Sequence, residues 1–307
     1  YYRITHKSGD VELLRNDAFA VKVPGRIYSP TGRRLDLTWD QSGTTRRLTQ
    51  VKDETTVLFQ ATYGTSVSTL TVWPGQAGSY TLRLSFQGNY LSRVENTAQN
   101  PALAWSLTYN PVGGRQMLTE LQSPTGLIER VTYLASGAAF PSGAGLPALP
   151  RVDSYTQYPQ GNQPAIARTY TYSSTNYLGA SASGGRWSPD SDYLYDVLTS
   201  YSYWSREISV CGDRTMTIER TYNNFHLMTK EVVSQGKAAR TTETVYYARI
   251  GTQFKDQPAQ FQLPRSSTVT YAGNGGQSSR IETTTTEFDG AGNMTLQVTP
   301  DGTTTSW

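Results

Sequence analysis

The chain has 307 residues, of which 36% are hydrophobic and 17% charged, with 27 Gly and 21 Tyr; this balance favours short strands and frequent turns over helices. Its formal charge of +3 comes from 27 Lys and Arg scattered among 24 Asp and Glu without a basic run, which argues against a nucleic-acid-binding face. Cys211 is the sole cysteine, so no disulfide forms within the chain. No stretch reaches the roughly twenty apolar residues of a membrane helix, and no signal peptide is visible.

Residues 1–23 read as two short strands across Lys7-Ser8-Gly9-Asp10, with Val11 and Leu13 as core candidates. Pro24-Gly25 is expected to turn into a first repeat, Tyr28 to Val51. From Thr56 to Asn96 apolar and polar residues alternate most cleanly, with turns at residues 73–78 and at Gln87-Gly88-Asn89. Trp105, Leu107 and Tyr109 form another alternating strand that leads into a repeat turning at Gly113-Gly114 and again near Gly126. Ala135 to Pro150 has no period and is expected to be a loop or a surface insertion, continued through Pro159, Gly161 and Pro164. Arg168 to Tyr172 alternates briefly, and residues 177–187 are too rich in Gly and Ser to be regular. Strands resume near Val197, stop for an irregular stretch from Gly251 to Pro264, and close with hairpins around Asp289–Asn293 and Pro300-Asp301-Gly302.

One unit recurs along this path: an aromatic or apolar residue followed four places later by Gly. It occurs at Tyr28/Gly32, Trp39/Gly43, Tyr109/Gly113, Tyr271/Gly275, Phe288/Gly292 and Val298/Gly302. The turn glycines lie about ten to twelve residues apart, so two copies make a hairpin repeat of roughly twenty residues. A lone strand cannot bury its apolar face, and such units must pair edge to edge. The expected fold class is therefore all-β, a continuous antiparallel sheet of repeated β-hairpins. The expected divisions are residues 1–134 and 197–307 as hairpin repeats, with 135–196 an irregular insertion carrying short strands.

The segments Tyr28-Ser-Pro-Thr-Gly-Arg-Arg-Leu35, Tyr109-Asn-Pro-Val-Gly113 and Phe288-Asp-Gly-Ala-Gly-Asn-Met294 resemble the Tyr-Asp-x-x-Gly pattern of the Rhs or YD-repeat proteins. Residues 187–195, 219–227 and 261–264 are also similar to the amino-terminal half of large bacterial members, including relatives of toxin-complex components. The resemblance implies a sheet ribbon wound into a shell around a carboxy-terminal toxic domain, used in toxin complexes or type VI secretion. It implies as partners the remainder of the same polypeptide and components of secretion or of a toxin complex, and a protein secreted or delivered from a bacterial cytoplasm. The family's self-cleavage segment, of Asp-Pro-x-Gly type, has no counterpart here, so no catalytic residue is carried over. The start at Tyr1 without Met fits a piece of a larger polypeptide.

Residue chemistry leaves few other openings. His6 and His226 are the only histidines, and His226 stands where the repeat places its turn Gly, which favours a turn or packing role over a general base. No Cys/His zinc spacing exists, and no cofactor is implied. Asp190 with Asp192, and Asp10 with Glu12, would each share a strand face and so offer the carboxylate pair of a glycoside hydrolase. Solvated turn acids explain both pairs equally well. Among the aromatics, Trp187 lies in the Gly-Ser stretch and, with Tyr193 and Tyr195, is the candidate surface contact for a sugar ring or a partner. A carbohydrate-binding β-sandwich is the alternative to the shell.

Overall fold

In a computed structural model of the protein, residues 2–16, 22–40, 45–273 and 279–307 are described. The expected turn positions Gly43 and Gly275 lie outside them. Regular structure among the described residues is all strand, apart from two short 3-10 turns at Tyr193–Asp196 and Phe254–Asp256.

The chain divides into two compact units, residues 1–109 with 121–126, and residues 110–120 with 127–307. The first holds β1 (Tyr2–Thr5), β2 (Val11–Asn16), β3 (Lys22–Tyr28), β4 (Arg34–Asp40), β5 (Arg47–Asp53), β6 (Thr56–Thr62), β7 (Val67–Val72), β8 (Tyr80–Gln87), β9 (Tyr90–Asn96) and most of β10 (Leu103–Val112). The second holds most of β11 (Arg115–Gln122), then β12 (Ile128–Ala138), β13 (Leu149–Tyr158), β14 (Ile166–Tyr172), β15 (Ser202–Cys211), β16 (Arg214–Asn223), β17 (Met228–Gln235), β18 (Ala238–Tyr246), β19 (Pro264–Ala272), β20 (Arg280–Phe288), β21 (Met294–Val298) and β22 (Thr304–Ser306). Each strand from β1 to β10 pairs antiparallel with the next. So does each from β12 to β22. Within each unit this is a meander of hairpins in chain order, as the alternation implied, and not the carbohydrate-binding β-sandwich held as an alternative.

Register sorts the side chains of the first unit. Leu37 lies opposite Val51, Val51 opposite Phe59, Phe59 opposite Val72, Leu70 opposite Leu82, Leu84 opposite Val94 and Val94 opposite Trp105. The other face pairs Arg26 with Asp36, Thr38 with Gln50, Gln60 with Thr71 and Arg83 with Glu95. A period of two is all that this separation needs.

The turns explain the recurring glycine. At His6–Asp10, Ser29–Arg33, Asn223–Leu227, Asp289–Asn293 and Thr299–Thr303 the first residue's N–H donates to the fifth residue's carbonyl, and the fourth residue's N–H returns to the first carbonyl. This five-residue turn puts its fourth residue in the left-handed region: Gly9, Gly32, Gly292 and Gly302 have φ of 90°, 83°, 84° and 84°. The first side chain often braces the loop, as Asp289 Oδ1 does by accepting the N–H groups of Ala291 and Asn293. At Tyr28 and Phe288 the Tyr-Asp-x-x-Gly pattern is thus a strand end followed by this turn, whereas Tyr109 lies inside β10 and Gly113 sits with Gly114 in the hairpin turn that follows it.

Aromatic rings at the strand ends tie each hairpin to the strand before it. Trp39 Nε1 donates to Pro24 O at 2.7 Å, Tyr63 Oη to Leu48 O at 2.8 Å, Tyr133 Oη to Leu118 O at 2.7 Å and Tyr246 Oη to Met228 O at 3.0 Å. Trp39, Tyr133, Tyr222, Tyr246 and Phe288 each follow a shift in strand register, where the following strand carries one extra residue opposite them. The ring positions 39, 63, 86, 109 and 133 step by 24, 23, 23 and 24, so the repeat is longer than the twenty or so residues expected from turn glycines.

Two strand assignments differ from the sequence reading. Pro24-Gly25 is not a turn but lies inside β3, opposite the register shift at Leu13/Leu14; a bulge accommodates a proline that a regular ladder would reject. The stretch expected to be a loop from Ala135 to Pro150 is shorter: β12 runs on to Ala138 and β13 starts at Leu149. Gly137 permits this extension, since a Cβ there would lie 2.5 Å from the Arg151 side chain on the paired strand.

Candidate functional site

The buried residues gather where the second unit's irregular segments fold onto its strands. Tyr193, Leu194, Val197, Tyr201 and Tyr203 form one cluster, with Ala182, Trp187 and Tyr222 packed against it. Leu194 and Phe225 are 0% and 2% exposed. Tyr201 Oη donates to the carbonyls of Asn176 and Ala180, both at 2.8 Å, and accepts the Asn176 N–H. Asn176 Nδ2 in turn donates to Ala139 O at 2.9 Å. Residues 173–201 therefore form a built lid on β14–β16, held by buried hydrogen bonds as well as by rings.

The β16–β17 turn locks this lid. Asn224, fully buried, donates to Leu194 O and Val197 O at 3.5 and 3.3 Å. Next to it His226 occupies the turn's left-handed position with φ of 59°, the role its place in the repeat implied. Its Nε2 bonds Asp192 Oδ2 at 2.6 Å and its Nδ1 bonds Tyr203 Oη at 2.8 Å. Asp192 Oδ1 accepts the Leu194 N–H at 3.0 Å and caps the 3-10 turn. A relay thus runs from a buried sheet tyrosine through His226 to a half-exposed carboxylate.

The relay has the outline of a catalytic triad, but its chemistry points elsewhere. Burial pushes the Tyr203 phenol well up from its ordinary value, with Tyr222 and Asp192 adding to the rise, and a nucleophile needs the opposite shift. Both His226 nitrogens already have partners, so neither is free to take a substrate proton. Burial raises Asp192, while the His226 hydrogen bond and charge and the Leu194 N–H bring it, on balance, below its ordinary value. It stays ionised at neutral pH and does not serve as a general acid.

Asp192, His226, Trp187, Ser188, Ser191 and Tyr193 line a cleft of about 470 Å³ together with Phe140, Tyr177, Leu178 and Pro189. Of the three aromatic residues singled out from sequence, Trp187 is half-buried at this cleft. Tyr193 is not a surface residue: at 7% exposure its ring is held between Gly179 and Gly185, and its hydroxyl donates to Ala182 O at 3.2 Å. Tyr195 faces away to stack on Phe254, ring centroids 4.5 Å apart. The other acidic pair separates into local roles, with Ser8 Oγ donating to Asp10 and Glu12 bonded to His6 at 2.9 Å. Sequence reasoning missed the relay because its members are 34 and 23 residues apart; a His in place of a turn Gly was the one visible sign.

A larger cleft, about 830 Å³, lies in the first unit between Arg47, Tyr63, Ser68 and Phe86, and no carboxylate lines it. Among the described residues no group of three His, Cys, Asp or Glu could hold a metal ion, and no helix is long and apolar enough to cross a membrane.

No protein-family profile matches the chain, and no curated protein does. Among the solved structures similar to it are the Photorhabdus luminescens Tc holotoxin pore with a TccC3 mutation, at 10% identity and a TM-score of 0.41, and a TcdB2-TccC3-Cdc42 complex, at 11% and 0.32. Each comparison covers 98% of this chain and 16% of the other, so this chain spans a small part of the chains it matches.

Proposed function

We propose that this chain is a non-catalytic wall segment of a Rhs/YD-repeat toxin-delivery protein, whose sheet encloses a toxic domain carried on the same polypeptide. The observation that carries this reading is surface left uncovered. The chain exposes 18797 Å², whereas a compact monomer of 33.9 kDa would expose about 12,800 Å², and two separate compact bodies of half that mass about 15,400 Å². In the first unit a whole face of Leu, Val and Phe is only half-buried. Sheets that keep one apolar face open need something to lie against it. An enclosed chain, still attached to the wall, meets that need, and ladders that pair strand edges internally keep other proteins from reaching it. Export from a bacterial cytoplasm, by a toxin complex or by type VI secretion, belongs to the same proposal.

The test is protease protection in the full polypeptide. The toxic segment should resist trypsin while the wall is intact and become cleavable when Val232→Pro breaks β17, a strand paired on both sides. Equal cleavage of the segment in both proteins would sink the reading.

A further inference from the structure

We infer that the cleft beneath the lid is a binding site for a neutral pyranose ring, with Trp187 as its platform and Asp192 as its hydrogen-bond acceptor. The inference is independent of the wall function. Three rings from separate stretches, Phe140, Tyr177 and Trp187, converge on the cleft, and they alternate with Ser188, Ser191, Asp192 and His226. Aromatic surface set among a few convergent polar groups is the composition of a small-ligand site, and about 470 Å³ is within the usual range for one.

The polar groups narrow the ligand class. Asp192 accepts one hydrogen bond on each oxygen, from Leu194 N–H and from His226. A carboxylate oxygen has two acceptor positions, so one on each oxygen is left for a ligand donor. The side chain of Asp192 is 39% exposed and fixed in place by the relay to Tyr203, itself 8% exposed. It is thus a pre-oriented acceptor that reaches solvent. Among the described residues no Lys or Arg lines the cleft, which disfavours an anion, and Asp192 is the single carboxylate there, fewer than a bound metal cation usually gathers. A sugar ring has what remains: an apolar C–H face to stack on an indole and hydroxyl groups to donate to a carboxylate. Holding His226 at a φ of 59° costs backbone strain that a glycine would avoid, and the histidine side chain is what holds Asp192 Oδ2.

Saturation-transfer NMR on the full chain tests this, with methyl α-D-glucopyranoside, methyl β-D-galactopyranoside and N-acetylglucosamine at about 10 mM as probes and sialic acid as the charged control. At least one neutral pyranoside should bind saturably and more tightly than sialic acid. Trp187→Ala and Asp192→Asn should each weaken it about tenfold or more, and Trp204→Ala, on the opposite face of β15, should leave it unchanged. Asp192→Asn retains an oxygen to cap Leu194, so it decides the matter if Trp187→Ala fails to fold. Absence of transfer from all three neutral probes would overturn the site. Binding that survives both substitutions in folded protein would overturn it equally.

Discussion

The two units are built from the same hairpins yet differ in what they bury. In the first, among the described residues, only Val23, Ala61 and Ser68 fall in the buried class, although its strands alternate cleanly. In the second, Leu194, Val197, Phe225 and Asn224 are buried and come from the lid and from the β16–β17 turn, while strands contribute Ala138, Tyr203 and Thr286. A meander one layer thick cannot close a core on itself. Where irregular chain folds back over the strands, a core appears. The segments that look like decoration in the sequence are the ones that supply the packing.

The sharpest way to break this contrast is to delete one large side chain from each unit. Phe225→Ala removes a ring that is 2% exposed and packed on Tyr195 and Phe261, and should cost about 3–5 kcal/mol. Phe59→Ala removes an equal ring from a half-buried strand face and should cost roughly half as much. Urea unfolding measures both. Equal losses would show that the open face is as well packed as the lid.

A smaller effect separates turn strain from packing. A Cβ at Gly179 would lie 2.5 Å from Tyr193 Cδ1, at a φ of 91°. Gly32 has a similar φ of 83° with nothing within 4 Å of the same position. Both Ala substitutions incur left-handed strain of about 1 kcal/mol, but only Gly179→Ala also displaces a buried ring, adding about 1–3 kcal/mol. Thermal melts that place the two variants together would mean that the lid gives way freely at Tyr193.

How much of this was legible follows from the same contrast. Hairpins, faces and most turns could be read because a period of two and a left-handed glycine are local properties, visible at Leu82, Leu84 and Phe86 or at Gly292. The continuation of β12 past Ala135 was not, because the need for a glycine at 137 comes from Arg151 across the ladder and from nothing adjacent in the chain. The lid was read as irregular, which it is, but its burial of Tyr193 depends on two glycines and on partners from β16–β17. Trp187 was placed correctly in the irregular stretch; that it shares a cleft with His226 depends on a fold-back of 39 positions.

The smallest expected effect concerns acid, and it asks whether the lid depends on the charge of Asp192. Asp192 has a folded pKa below its ordinary 3.8, because the bonds to His226 and Leu194 outweigh its burial. A group whose folded pKa is depressed contributes stability in full above the unfolded value and loses it as pH falls through the folded one. The margin of wild-type protein over Asp192→Asn at pH 5 should therefore close as pH falls below about 4. Asp289 and Asp301, whose turn hydrogen bonds also lower them, titrate in the same window, but they are present in both proteins and cancel in the difference. Urea midpoints at pH 5, 4 and 3 give the comparison. A margin that stays constant down to pH 3 would mean that Asp192 holds the lid by shape alone, since asparagine can cap Leu194 but cannot carry the charge that faces His226.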